Sequence, residues 1–143
     1  MLKGDGRYVA DWNLPGQAFG HFLRSDRPHA RIVSIDASGA LAVPGVIAVL
    51  TGEDEKSAGL QTLPAAAPMK GRGGAELLKP PRASLALDRV RYVGEAVALV
   101  VAETAAIAQD AAELIEVDYE DLPAVVHASD ALLPGAPLLH DGV

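Results

Sequence analysis

Ala96-Val97-Ala98-Leu99-Val100-Val101-Ala102-Glu103-Thr104-Ala105-Ala106-Ile107-Ala108-Gln109-Asp110-Ala111-Ala112-Glu113-Leu114-Ile115-Glu116-Val117-Asp118-Tyr119-Glu120 is the most informative run of the chain for its fold class. Its opening run, Ala96 to Ala102, has no polar position. A strand apolar on both faces belongs in the middle of a covered sheet. Thr104 then stands where its hydroxyl can take an orphan amide of a new helix. Ile107, Ala111, Leu114 and Ile115 recur at helical spacing, while Asp110 and Glu113 lie off that stripe, so the helix runs to about Leu114. From Ile115 the pattern alternates, with Ile115, Val117 and Tyr119 inward and Glu116, Asp118 and Glu120 outward. Strand, helix and strand at this spacing predict a crossover unit of right hand.

Toward the N-terminus, residues 17–24 read as a strand with Phe19, His21 and Leu23 on one face. After a bend near Pro28, Arg31 to Ile35 continues as a β-rich stretch. Asp36 stands at the N-cap of a short helix over Ala37–Ala42, which Pro44-Gly45 stops. Val46 to Leu50 is a buried strand. Residues 51–84 hold Pro64, Pro68, Pro80, Pro81 and five glycines without an aromatic, and read as a long irregular loop. Structureless loops above about 12–15 residues are normally functional, disordered or ordered by a partner. Order resumes from Leu85 to Val93. Beyond Leu122-Pro123, Ser129 is a candidate cap for a last turn through Leu133, and Pro134 and Pro137 extend the tail.

A chain of 143 residues has the length of one domain and can bury roughly 70% of its unfolded surface without staples. Only six residues are aromatic, so Ala, Val and Leu must fill the core. The chain has no cysteine, which removes thiolate nucleophiles and cysteine-held zinc or iron–sulfur clusters from it. Met1 to Asp5 has no apolar core of signal-peptide type, and Ala96 to Ala102 is far short of the ~20 residues of a membrane span. The default expectation is a cytoplasmic protein with no membrane partner. All 12 Lys and Arg lie in residues 1–91 with 9 of the 19 acids, whereas 92–143 hold the other 10 acids and no base. That acidic half is either a solvated face or a docking surface for a basic partner. Arg72-Gly73-Gly74 is no basic stripe and has no aromatic platform beside it, so no nucleic-acid partner is expected.

The usual catalytic constellations are missing. There is no nucleophile elbow, no phosphate loop and no dinucleotide fingerprint. His21, His29, His127 and His140 lack metal-ligand spacing. His21, on an apolar strand face, reads as a hydrogen-bonded core histidine, and His29 lies beside the bend. Glu116, Asp118 and Glu120 read as a solvated strand face, since divalent-ion sites gather oxygens from tight loops or several elements. Glu95 follows Gly94 and directly precedes the buried strand, where a carboxylate can take main-chain amides. A hydrolase built on His21 or His29 would need a nucleophile that neither has. No catalytic, cofactor-binding or metal residue is assigned.

Six segments in order are more specific than any one motif. They are Gly6-Arg7-Tyr8-Val9-Ala10-Asp11 with Leu14-Pro15-Gly16, Phe22-Leu23-Arg24-Ser25 with His29-Ala30-Arg31-Ile32, Pro44 to Gly52, Asp88 to Glu95, Ala111 to Glu120, and Leu122-Pro123-Ala124-Val125. Together they resemble the N-terminal a/b hammerhead domain of the xanthine dehydrogenase and aldehyde oxidase family, to which the large subunit of aerobic carbon monoxide dehydrogenase belongs. The resemblance runs from Gly4 to about Leu139 and departs from the family pattern at Asp26, where a proline is common.

It implies a single α/β hammerhead domain over 1–143, with a mixed sheet and helices packed mainly on one face. It also implies a molybdenum hydroxylase whose molybdopterin, iron–sulfur and FAD groups lie outside this chain. The family's molybdenum-site glutamine and catalytic glutamate match no position here. The expected partners are molybdenum-binding domains or subunits of the same enzyme, with self-association when the chain is isolated. Such family subunits are several times longer, so the chain is expected to be an excised domain, a truncated gene product or one piece of a split large subunit. The alternative function is a free-standing binding or regulatory module that kept the fold and not the enzyme.

Overall fold

The computed structural model describes residues 6–63, 70–76 and 78–140. Pro64 and Pro68 and the opening residues through Asp5 lie outside that range. Strand β1 (Phe19–Arg24) leads through a bend to β2 (Ala30–Asp36). Helix α1 (Ser38–Leu41) and β3 (Val46–Thr51) follow, then helix α2 (Gly52–Ser57). After the long connection come β4 (Arg89–Val90), β5 (Ala96–Ala102), α3 (Ala105–Ala112) and β6 (Glu116–Asp121).

The strands form two three-stranded sheets, ordered β1-β5-β3 and β4-β2-β6, and every pairing is antiparallel. The expected single mixed sheet is therefore replaced by two antiparallel ones. The right-handed crossover falls with it, because β5 and β6 lie in different sheets. The physical reason is visible in the strands themselves. β5 is apolar on both faces and sits between two neighbours, whereas the alternation of β6 suits a sheet covered on one side only.

Helix α3 packs on the face of the first sheet that carries Ala98, Val100 and Ala102. It contributes Ala108, Ala111 and Ala112, and α1 adds Ala40 to the same layer. Helices α1 and α3 thus share one face, as expected. Val97 points instead into a second cluster with Ala30, Ala86 and Val90. Ile35 and Val117 touch both clusters, so the two sheets share one interior.

Local capping follows the sequence where it was legible. The Thr104 hydroxyl accepts the Ile107 amide at 3.2 Å. Asp36 takes the Ser38 amide at 2.8 Å, although regular helix begins only at Ser38. Ser129 precedes a 3-10 turn over Asp130–Leu132, but its hydroxyl bonds to the Asp130 carboxylate rather than to a main-chain amide.

The irregular segment starts later than expected. Thr51 ends β3 and Gly52–Ser57 is helical, with the Asp54 carboxylate accepting both the amide and the hydroxyl of Thr51 at 2.7 Å. Thr51-Gly52-Glu53-Asp54 is a capping signature that the glycine and proline content obscured. Gly52 is required by contact: a Cβ there would lie 2.5 Å from the Ala86 carbonyl oxygen. Glu55 reinforces this junction by accepting the Leu85 amide at 3.1 Å. Further along, the Leu63 amide bonds to the Arg82 carbonyl at 2.7 Å, which ties the two ends of the connection together.

Candidate functional site

The four histidines occupy four different settings. His21 is half-buried on the inner face of β1 and makes no hydrogen bond among the described residues. The buried, hydrogen-bonded histidine is His29 instead, only 4% exposed. Its Nδ1 donates to the Pro123 carbonyl at 2.8 Å, and its own carbonyl accepts the Leu122 amide at 2.9 Å. It reaches Pro123 because the next residue, Ala30, pairs with Asp121, where β6 gives way to the turn. The Nε2 atom is enclosed without a partner among the described residues. His127 is exposed in the tail, where it lines a shallow groove with Asp130, and His140 lines a second groove with Arg91 and Glu95.

That second groove, with a volume of about 560 Å³, lies between Pro80-Pro81, Tyr92 and Leu139-His140. Its inner polar groups are already engaged. Glu95 accepts the Arg91 amide, in the main-chain role its position suggests. The Arg91 guanidinium donates to the Leu139 carbonyl at 3.0 Å and the Arg89 carbonyl at 3.2 Å, with Asp88 at 3.6 Å. Across the same turn, Arg24 donates to the Gly94 carbonyl at 2.8 Å. These arginines stitch the tail and β1 to the turn before β5, and sequence reading did not single them out. Their partners lie up to 70 residues away, so no local pattern announces them.

Two carboxyls and one phenol at structural positions have shifted pKa values. Hydrogen bonds from Ser38 hold the Asp36 carboxyl below its ordinary value, and those from Thr51 do the same for Asp54. Burial pushes the Tyr119 phenol up, against a hydrogen bond to Ser25. Glu116, Asp118 and Glu120 are all exposed, as expected, with Glu120 paired to Arg31 across the strands.

No described residue is assigned to the molybdopterin that the family resemblance implies. The described residues contain no group of three or more His, Cys, Asp or Glu side chains placed to hold a metal ion, and Arg91 and Glu95 are committed to the main chain. No described helix is long and apolar enough to cross a membrane.

The least expected surface is the face of the first sheet turned away from α3. The register sets Phe22, Leu99 and Leu50 side by side across the three strands, with Gly20, Val101 and Ala48 as the next row. Phe22 is 43% exposed and Leu50 is 39% exposed, and Leu99 and Val101 are half-buried. The polar side chain at its margin, Arg24, stands with its guanidinium 5.7 Å from the Phe22 ring centre.

Comparison with known proteins accounts for a chain with this fold. The family model described as aldehyde oxidase and xanthine dehydrogenase, a/b hammerhead domain, matches residues 3–123. The carbon monoxide dehydrogenase large chain of Afipia carboxidovorans is 45% identical over 143 residues, covering 100% of this chain and 16% of that protein. The nicotine 6-hydroxylase large subunit of Paenarthrobacter nicotinovorans is 39% identical, over 94% of this chain and 16% of its own length. A solved carbon monoxide dehydrogenase from Oligotropha carboxidovorans superposes with a TM-score of 0.82 at 45% identity, over 96% of this chain and 16% of that one. The chain thus spans about a sixth of each of these relatives, and it belongs to the aldehyde oxidase and xanthine dehydrogenase family as an a/b hammerhead domain.

Proposed function

We propose that this chain is a structural and assembly domain of a molybdenum-dependent hydroxylase large subunit and has no complete active site of its own. One observation carries the reading: 45% identity runs through the whole chain yet reaches only 16% of the carbon monoxide dehydrogenase large chain. The site geometry agrees, because the interior polar groups serve the main chain and the core is built of small apolar side chains. Molybdopterin would be held by other domains or subunits of the same enzyme, with iron–sulfur and flavin partners passing on the electrons in the cytoplasm. The isolated chain is expected to be inactive, and to self-associate at high concentration because its apolar face is uncovered.

Gentle purification of the tagged chain from its native cell, followed by metal analysis and identification of bound protein, tests this. Stoichiometric molybdenum with further hydroxylase polypeptide supports the reading. A metal-free chain bound to an unrelated protein, or to none, overturns it in favour of a free-standing module.

A further inference from the structure

We infer that the open face of the β1-β5-β3 sheet, centred on the Phe22–Leu99–Leu50 row, is the seat on which the rest of the large-subunit polypeptide packs. The inference rests on the proposed function and adds to it a location and an occupant.

The contrast between the two sheets carries the argument. Apart from Val33 in the β2 bulge, the outward face of β2 and β6 is polar: the register pairs Arg31 with Glu120, Ser34 with Asp118 and Asp36 with Glu116. This chain therefore builds a solvated sheet face where it needs one. On the first sheet the corresponding rows contain no polar side chain. Gly20 keeps that surface level, since a Cβ there would lie 3.2 Å from Leu99 Cδ1, and the Leu99 side chain leans over the glycine instead. Charge lies at the margin, where Arg24 flanks Phe22 and is tethered to the Gly94 carbonyl, with Glu95 lining the same hollow. An apolar centre with a polar rim is the anatomy of an interface rather than of a solvated surface.

The occupant follows from length. The relatives carry about five-sixths of their chain beyond the part matched here, and that polypeptide must pack around this domain. A segment belonging to the same assembly meets the face at high effective concentration, which a second free copy does not. The strand β5, apolar on both faces, is then covered on both, as a strand of that composition requires.

Photo-crosslinking in the native cell tests the assignment. Benzoylphenylalanine is placed at Phe22, at Leu50, and at Asp118 as a control on the polar sheet, and crosslinked peptides are read by mass spectrometry. The expected result is crosslinks from positions 22 and 50, and none from 118, to hydroxylase large-subunit sequence outside these 143 residues. Leu50→Asp should lower recovery of that polypeptide about tenfold, the effect of losing a buried interface anchor. Crosslinks to a second copy of this chain, or equal silence at all three positions, overturn the inference. If hydroxylase polypeptide is present but uncrosslinked, only the face is wrong. If none is present, the proposed function fails as well.

Discussion

The sheets β1-β5-β3 and β4-β2-β6 each have three strands and antiparallel ladders, but they are built for different surroundings. In the first, Val100 is fully buried under α3 while its neighbour Leu99 points to an uncovered apolar face. In the second, Ile32, Ile35, Val117 and Tyr119 turn inward and acids and Arg31 turn out. The second sheet is an outer wall. The first is an inner layer that carries a helix on one side and holds the other side ready. Composition thus reports how many faces a strand wants covered, and only the packed structure reports which covering is supplied from within.

A charge placed in each sheet tests this contrast most severely. Val100→Asp leaves an unpaired charge beneath α3, a change of about 3–5 kcal/mol, and should abolish the cooperative urea transition. Asp118→Asn on the wall should shift that transition by less than about 0.5 kcal/mol. Comparable effects at the two sites would dissolve the distinction. Next in size, Gly52→Ala forces a methyl against the Ala86 carbonyl, and its cost should be about 1–3 kcal/mol in the same denaturation assay. A neutral outcome would mean that the close Gly52–Ala86 contact yields without cost.

Thr104→Ala removes the cap of the covering helix and should cost about 1 kcal/mol, with amide exchange quickened first at Ile107. The smallest effect concerns acid. Asp36 and Asp54 have folded pKa values below the ordinary 3.8, so their contribution is complete above that value and disappears as the pH falls through the lowered ones. Urea midpoints should therefore decline below about pH 4, and Asp36→Asn with Asp54→Asn should flatten that decline. An unchanged acid limb in the double variant would show that these caps do not couple stability to pH.

The elements that carry their signal locally were legible in the sequence. The alternation of Phe19, His21 and Leu23, the capped helix after Thr104 and the two-faced strand before it all reappear at their expected places. The pairing of strands was not legible, because β1 finds β5 across more than 70 residues and nothing in either strand names its partner. His29 was undervalued for the same reason, since its burial depends on a turn at Pro123. Helix α2 is only six residues long, and its capping signature was lost among glycines and prolines. The open apolar face was half legible: the run from Ala96 to Ala102 demanded two coverings, and only the structure shows that one of them reaches Val97 but leaves Leu99 and Val101 half-buried.

The alanine layer between α3 and the first sheet has a mechanical consequence. Ala98 and Ala102 on one side meet Ala108, Ala111 and Ala112 on the other, and a methyl group has no rotamer to change. At these alanines helix and strand approach closely, with Val100, Ile107 and Ile115 packed around them, and a close-packed interior compresses little. A push on the outer surface of α3 is therefore expected to reach β5, whose other face carries Leu99 and Val101. The domain acts as a stiff plate, so displacement on its solvent side would be felt by whatever rests against the other.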